Sequence, residues 1–157
     1  MTKPRILLAE AHKMVREALR DLLDELGDVV GTVRDGQALV KAAQWLEPDI
    51  ILSDISLPKL NGLDATRALQ TCSPQSKVII LMASRDPAYV TLAFNAGARG
   101  FLLKRTHLHA ELSQALLDVL AGDRYIGLEV SEELVPVDGD EVSTWRSEPQ
   151  QTVDKPY

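Results

Sequence analysis

Five short apolar runs punctuate the first 122 residues, and between them apolar side chains recur every three or four positions. The runs are Arg5–Ala9, Val29–Val33, Ile50–Ser53, Val78–Met82 and Gly100–Leu103. Continuous apolar runs of this length predict strands buried on both faces, as in a parallel sheet. The stretches between them carry helical spacing. Val15, Leu19, Leu22 and Leu26 precede Gly27; Leu39, Ala42, Ala43 and Leu46 precede Pro48; Leu63 to Leu69 gives a short third pattern. Tyr89, Val90, Ala93 and Ala96 precede Gly97, and Leu108, Leu112, Ala115, Leu116, Val119 and Leu120 precede Gly122. Glycine and proline stand where such helices stop. Trp45 is expected to pack as part of the second helix. With no hairpin signal and no internal repeat, the alternation predicts right-handed βαβ units. The expected fold class is therefore α/β, a five-stranded parallel sheet in the order 2-1-3-4-5.

That order makes strands one and three neighbours and opens a crevice at their carboxyl ends, where ligand chemistry collects in such sheets. The third strand ends in Asp54, and Pro58 and Asn61-Gly62 then force a turn. A buried strand tolerates no free carboxylate in its middle, whereas one held at its tip by a stiff loop is a candidate nucleophile. Glu10 ends the first strand beside it, and Lys104 ends the fifth. Two acids and a lysine at three strand tips suit phosphoryl chemistry on a carboxylate. The acids attract a hard cation, and the lysine neutralises charge on a bound phosphoryl group. Each residue alone has a plainer reading, a loop-opening Asp or a solvated strand-end charge. Their meeting at one edge favours chemistry.

Composition changes this picture in only a few places. At 157 residues the chain is one domain's worth, with 45% hydrophobic and 25% charged residues, ordinary for a soluble globular protein. The N-terminal apolar run is too short for a signal peptide and no stretch approaches a membrane span, so no membrane partner and a cytoplasmic location are expected. A lone Cys72 forms no internal disulfide, fits a reducing compartment and reads as a small half-buried side chain near a helix end. The net charge of −6 is uneven: residues 132–157 hold seven acids against Arg146 and Lys155, a balance of −5, leaving −1 for the rest. With Pro136, Gly139, Pro149 and Pro156 in it and no apolar period, the segment 129–157 reads as an acidic, mostly unfolded tail. Trp145 within it reads as an anchor for a partner. Such a tail repels phosphate backbones and no basic stripe lies elsewhere, so direct nucleic acid binding by this chain is not expected.

Two segments give the chain a family likeness. They are Pro48-Asp49-Ile50-Ile51-Leu52-Ser53-Asp54-Ile55-Ser56-Leu57-Pro58, followed by Asn61-Gly62-Leu63, and Ala96-Gly97-Ala98-Arg99-Gly100-Phe101-Leu102-Leu103-Lys104. On these the chain resembles the receiver domain of two-component response regulators, over roughly residues 4–128. His12 to Leu19 and Ala121 to Gly127 look most like receivers that precede a LuxR-type DNA-binding domain. The resemblance implies a flavodoxin-like (βα)5 receiver fold. It also implies a phosphoacceptor at Asp54, fed by a histidine kinase or small phosphodonor, with Lys104 as the catalytic charge partner. Magnesium assists, held by Glu10, Asp54 and the backbone carbonyl of Ser56. Output passes through the face of the fourth helix, fifth strand and fifth helix to a downstream protein partner, and a homodimer is compatible with it.

The departures matter as much as the match. The family carries two adjacent acids after the first strand; here the pair reads Glu10-Ala11, so Ala11 removes the usual metal ligand and weak or absent Mg2+ binding is expected. At the family's hydroxyl switch position stands Met82, a thioether that cannot donate to phosphate; Ser84 lies two residues on. Phe101 occupies the aromatic switch position, where core packing is the plain alternative. Arg105 follows Lys104 where many receivers have proline. His12, His107 and His109 read as ordinary polar positions near helix starts rather than ligands.

Three readings follow. The leading one is a single-domain, atypical receiver in a phosphorelay, a signalling protein and not an enzyme, that accepts phosphate on Asp54. The alternative is a phosphorylation-independent pseudo-receiver acting as a protein-interaction module, favoured by Ala11 and Met82. A third is a transcription factor without its helix-turn-helix, none being readable after residue 128. A small α/β enzyme is disfavoured because no Gly-rich phosphate loop or nucleophile elbow accompanies the sheet.

The tail yields a test of its own. Cutting after Val130 should leave stability within about 1 kcal/mol of the full chain, the scale of lost surface contacts. Leu134, Val135 and Val137 are the one apolar cluster able to dock on the fifth helix. Strong hydrogen-exchange protection across 132–157 would contradict the prediction.

Overall fold

Alternate residues of each strand face opposite sides of the sheet, and here both sides are covered, which is why the strands read as continuous apolar runs. The computed structural model describes residues 3–83, 86–104 and 108–127. Its elements are β1 (Arg5–Ala9), α1 (Lys13–Asp24), β2 (Asp28–Val33), α2 (Gly36–Leu46), β3 (Ile50–Asp54) and α3 (Gly62–Cys72). There follow β4 (Lys77–Met82), α4 (Ala88–Ala96), β5 (Gly100–Leu103), α5 (Leu108–Leu120) and β6 (Tyr125–Ile126). The sheet is parallel throughout, in the order β2-β1-β3-β4-β5-β6. One face buries Leu7, Ile51, Ile80 and Phe101 against α2, α3 and α4 through Leu39, Leu69 and Phe94. The other buries Leu8, Leu52, Leu81 and Leu102 against α1 and α5 through Leu23, Leu112 and Val119. The flavodoxin-like (βα)5 arrangement expected from the sequence is present.

Local chemistry sets the helix limits. The Asp35 side chain accepts the Ala38 N–H at 2.8 Å and starts α2; Asn61 does the same for Asp64 at 2.9 Å and starts α3. Gly97, at φ 113°, closes α4 in the left-handed conformation that glycine adopts without strain.

The structure departs from the sequence-based expectations in three places. The sheet has a sixth strand, β6, where the Tyr125 N–H donates to Arg99 O at 3.0 Å and the Gly127 N–H to Phe101 O at 2.8 Å. Two residues carry no readable period, and only the neighbouring β5 edge makes them a strand. The third helix spans Gly62–Cys72, eleven residues rather than a single short pattern: the Asn61 cap sets its start one residue before Leu63, and it continues three residues past Leu69. Cys72 itself is half-buried at the helix end, as read. Trp45, expected to pack, is 84% exposed. At about 100° per residue, it lies roughly opposite Ala43, the buried side of α2. No helix among the described residues is long and apolar enough to cross a membrane. Ser84, Arg105, His107 and the segment 128–157 lie outside the described residues.

Candidate functional site

The register of the sheet brings the charged tips together. Ala9 of β1 pairs with Ser53 of β3, so the next residues, Glu10 and Asp54, emerge side by side. Across β4, Met82 pairs with Leu103, and the Lys104 N–H donates to Met82 O at 3.0 Å, fixing where the lysine leaves the sheet. Its side chain returns over the tips: Nζ lies 2.7 Å from Glu10 Oε1 and 2.9 Å from Asp54 Oδ2. The side chains of Glu10, Asp54 and Lys104 are 0%, 5% and 18% exposed. Three charges in so little water persist only because each faces an opposite one.

Every other carboxylate oxygen is also engaged. The Ser56 N–H donates to Asp54 Oδ1 at 3.2 Å. Glu10 Oε2 accepts the His12 backbone N–H at 3.0 Å, and His12 Nδ1 lies 3.0 Å from the same oxygen. Arg16 secures the β1–α1 turn by donating from Nη1 to Glu10 O at 2.9 Å and Ala11 O at 3.3 Å. The loop after Asp54 folds back hard: the Gly62 N–H donates to Ile55 O at 2.9 Å, and a Cβ on Gly62 would stand 2.4 Å from Asp54 O. Only glycine permits that approach. Asp54 opens onto a cleft of 780 Å³ lined by Ser56, Asn61, Met82, Tyr89 and Lys104 among others.

Burial pushes the Glu10 carboxyl up, but the hydrogen bonds and charge of Lys104, with the His12 hydrogen bonds, outweigh it and hold the group below its ordinary value. Burial likewise pushes the Lys104 ammonium down, and hydrogen bonds and charge from Glu10 and Asp54 outweigh that and raise it. Both groups are held charged.

Of the two switch positions, Phe101 is core, packed inside the sheet face under α2–α4. Met82 is buried at the end of β4 and lines the cleft with a side chain that offers no O–H. His12 is the residue that sequence reasoning set aside. Its side chain is 74% exposed, as a polar position should be, yet its ring turns back onto Glu10. Glu10, His12 and Asp54 together form a group whose potential ligand atoms all lie within 4.8 Å of one another. The signal in the sequence was its place two residues after Glu10 at the start of α1, where an extended residue (φ −87°, ψ 123°) precedes the helix.

This geometry has clear counterparts. A profile of the response regulator receiver domain matches residues 6–117, and the chain belongs to that family. It is 34% identical over 132 residues to the response regulator GacA of Pseudomonas viridiflava, covering 83% of this chain and 61% of that protein. It is 33% identical over 101 residues to the chemotaxis protein CheY of Thermotoga maritima, covering 64% of this chain and 84% of that one. A LuxR-family two-component response regulator from Aurantimonas sp. SI85-9A1 superposes with a TM-score of 0.83 at 29% identity, over 88% of this chain and 100% of that one. The chain spans about three fifths of the length of GacA. Receiver domains serve two-component signalling: they partner with histidine kinases, take phosphate on an aspartate, and bind Mg2+ at an acidic pocket. The acidic group here is Glu10, His12 and Asp54. Magnesium takes oxygen ligands in near-octahedral array. Here the group offers two carboxylates, each with one oxygen on Lys104, and an imidazole nitrogen, while the Ala11 side chain adds no oxygen.

The paired shifts define a pH window. A carboxyl lowered on folding contributes stability that is complete above its unfolded value, near 4.5, and is lost as pH falls through the folded value. An ammonium raised on folding contributes fully below 10.5 and loses that contribution as pH rises through the folded value. Glu10→Gln can offer its single amide oxygen to Lys104 or to the His12 N–H, not to both. It should cost about 1–3 kcal/mol at pH 7, the usual penalty for stranding a buried charged partner. The gap to the parent protein should narrow below pH 4.5. Urea unfolding at pH 7 and pH 3.5 checks this, and a gap independent of pH would contradict it.

Proposed function

We propose that this chain is a phosphoacceptor receiver in which Asp54 takes a phosphoryl group from a histidine kinase or a small acyl phosphate. The observation that carries the reading is Asp54, nearly buried at the tip of β3, with Lys104 Nζ 2.9 Å from one oxygen and the cleft open above it. An Asp54 carboxylate oxygen attacks phosphorus, the new O–P bond forms as the donor's N–P or O–P bond breaks, and the donor leaves with the electron pair. Lys104 stands where it neutralises charge gathering on the phosphoryl oxygens. The Ser56 N–H, already aimed at Asp54 Oδ1, supplies a further donor. With Met82 in place of a hydroxyl, one hydrogen bond to the product is missing, so transfer is slow and the output face of α4, β5 and α5 responds weakly to phosphate. We read the residues up to about 128 as one signalling domain of the cytoplasm that passes its state to a protein partner.

One set of observations favours a second reading, a pseudo-receiver that binds partners without turning over phosphate. Both Asp54 oxygens are satisfied within the chain, Ala11 removes a carboxylate, and Met82 removes the hydroxyl. Incubation with magnesium and acetyl phosphate, read by intact mass, separates the two. The phosphoacceptor reading expects one added phosphate on the parent protein and none on Asp54→Asn. Labelling undiminished by Asp54→Asn would place the acceptor elsewhere, and no labelling of the parent protein would leave the interaction-module reading.

Magnesium binding is expected to be weak in the parent protein and stronger in Ala11→Asp, which adds an oxygen ligand and a negative charge beside Glu10 and Asp54. A tenfold gain, about 1.4 kcal/mol, is the minimum for a direct ligand. Calorimetric titration compares the two proteins, and tight magnesium binding by the parent would sink the idea.

A further inference from the structure

We propose that Glu10, His12 and Asp54 form a site for a borderline divalent transition-metal ion, of which zinc is the type, in the pocket where the family holds magnesium. The inference deepens the reading of this pocket but rests on ligand chemistry alone. His12 Nδ1 and Glu10 Oε2 lie 3.0 Å apart, and all three ligand atoms fall within 4.8 Å of one another. A tetrahedral zinc ion bonded at about 2.0–2.2 Å to each ligand holds ligand atoms about 3.3–3.6 Å apart. The pair from the β1–α1 turn stands 3.0 Å apart, close to that spacing, and Asp54 lies within 4.8 Å of both, so binding draws its carboxylate toward them.

Two features select against magnesium and toward a softer ion. The charge available is low, because Lys104 offsets one of the two carboxylates it bridges. A hard ion, bound chiefly by charge and oxygen, gains little there. An imidazole nitrogen adds no charge but a strong bond for zinc, copper or nickel, ions that imidazole suits well. The turn is also already built: the His12 N–H donates to Glu10 Oε2, and Arg16 holds Glu10 O and Ala11 O, so little ordering remains on binding any ion. Ligation uses the His12 Nδ1 lone pair, so the ion replaces the hydrogen bond between Nδ1 and Glu10 Oε2 and a proton is released or carried on Nε2. Asp54 is then drawn into the metal site, which ties availability of that carboxylate to the ion.

The test is calorimetric titration of the full chain with zinc and with magnesium, without any phosphodonor, so that a failure here is distinct from a failure to label Asp54. The expected result is one zinc bound at least tenfold more tightly than magnesium, with His12→Ala and Asp54→Asn each weakening zinc at least tenfold. Imidazole nitrogen NMR of the parent protein should move the His12 Nδ1 resonance on adding zinc, a readout that needs no variant. Zinc affinity unchanged in His12→Ala or in Asp54→Asn, a still His12 resonance, or magnesium binding as tight as zinc would each overturn the proposal.

Discussion

Lys104 Nζ sits 2.7 Å from one Glu10 oxygen and 2.9 Å from one Asp54 oxygen, and on that bridge the rest of the site depends. Two carboxylates almost without water, on adjacent strands, repel each other and lose their hydration. The ammonium answers both costs at once, which is why it is itself held charged despite burial. Its position comes from the sheet. β5 pairs with β4, and the Lys104 N–H closes onto Met82 O, so the lysine stem leaves the edge where it can reach back across β4 to β3 and β1. A parallel sheet puts all these tips on one side, and that common edge makes a three-charge cluster possible from residues 94 positions apart.

The two departures from the family pattern act on different parts of that cluster. Ala11 lowers the negative charge and the count of oxygen donors, and leaves the β1–α1 turn offering an imidazole instead. Met82 keeps the apolar packing at the end of β4 and removes a hydroxyl from the cleft wall. The Asp54–Lys104 contact touches neither change.

Much of this was legible along the chain. Buried strands and amphipathic helices follow from local periodicity, so element order and the α/β class could be read directly. The placing of Glu10, Asp54 and Lys104 at strand ends needed only the further rule that such sheets carry their chemistry at carboxyl tips. What failed were elements whose identity is not local. β6 is a strand only because β5 offers it an edge, and Trp45 looks like core until the face that α2 turns to the sheet is fixed by Leu39 and Ala43. Phe101 is buried because β5 lies inside the sheet with helices over it.

The sequence by itself determined the fold class, the strand tips and the identity of the charged residues, because hydrophobic period and residue type are properties of short segments. Tertiary structure alone decided which oxygen faces which cation, that the two oxygens of Asp54 are shared between Lys104 and the Ser56 amide, and that His12 turns inward to Glu10 rather than outward. Those are matters of a few ångströms between segments distant in the chain. Strand register and a single turn conformation fix them, and neither leaves a mark in local composition.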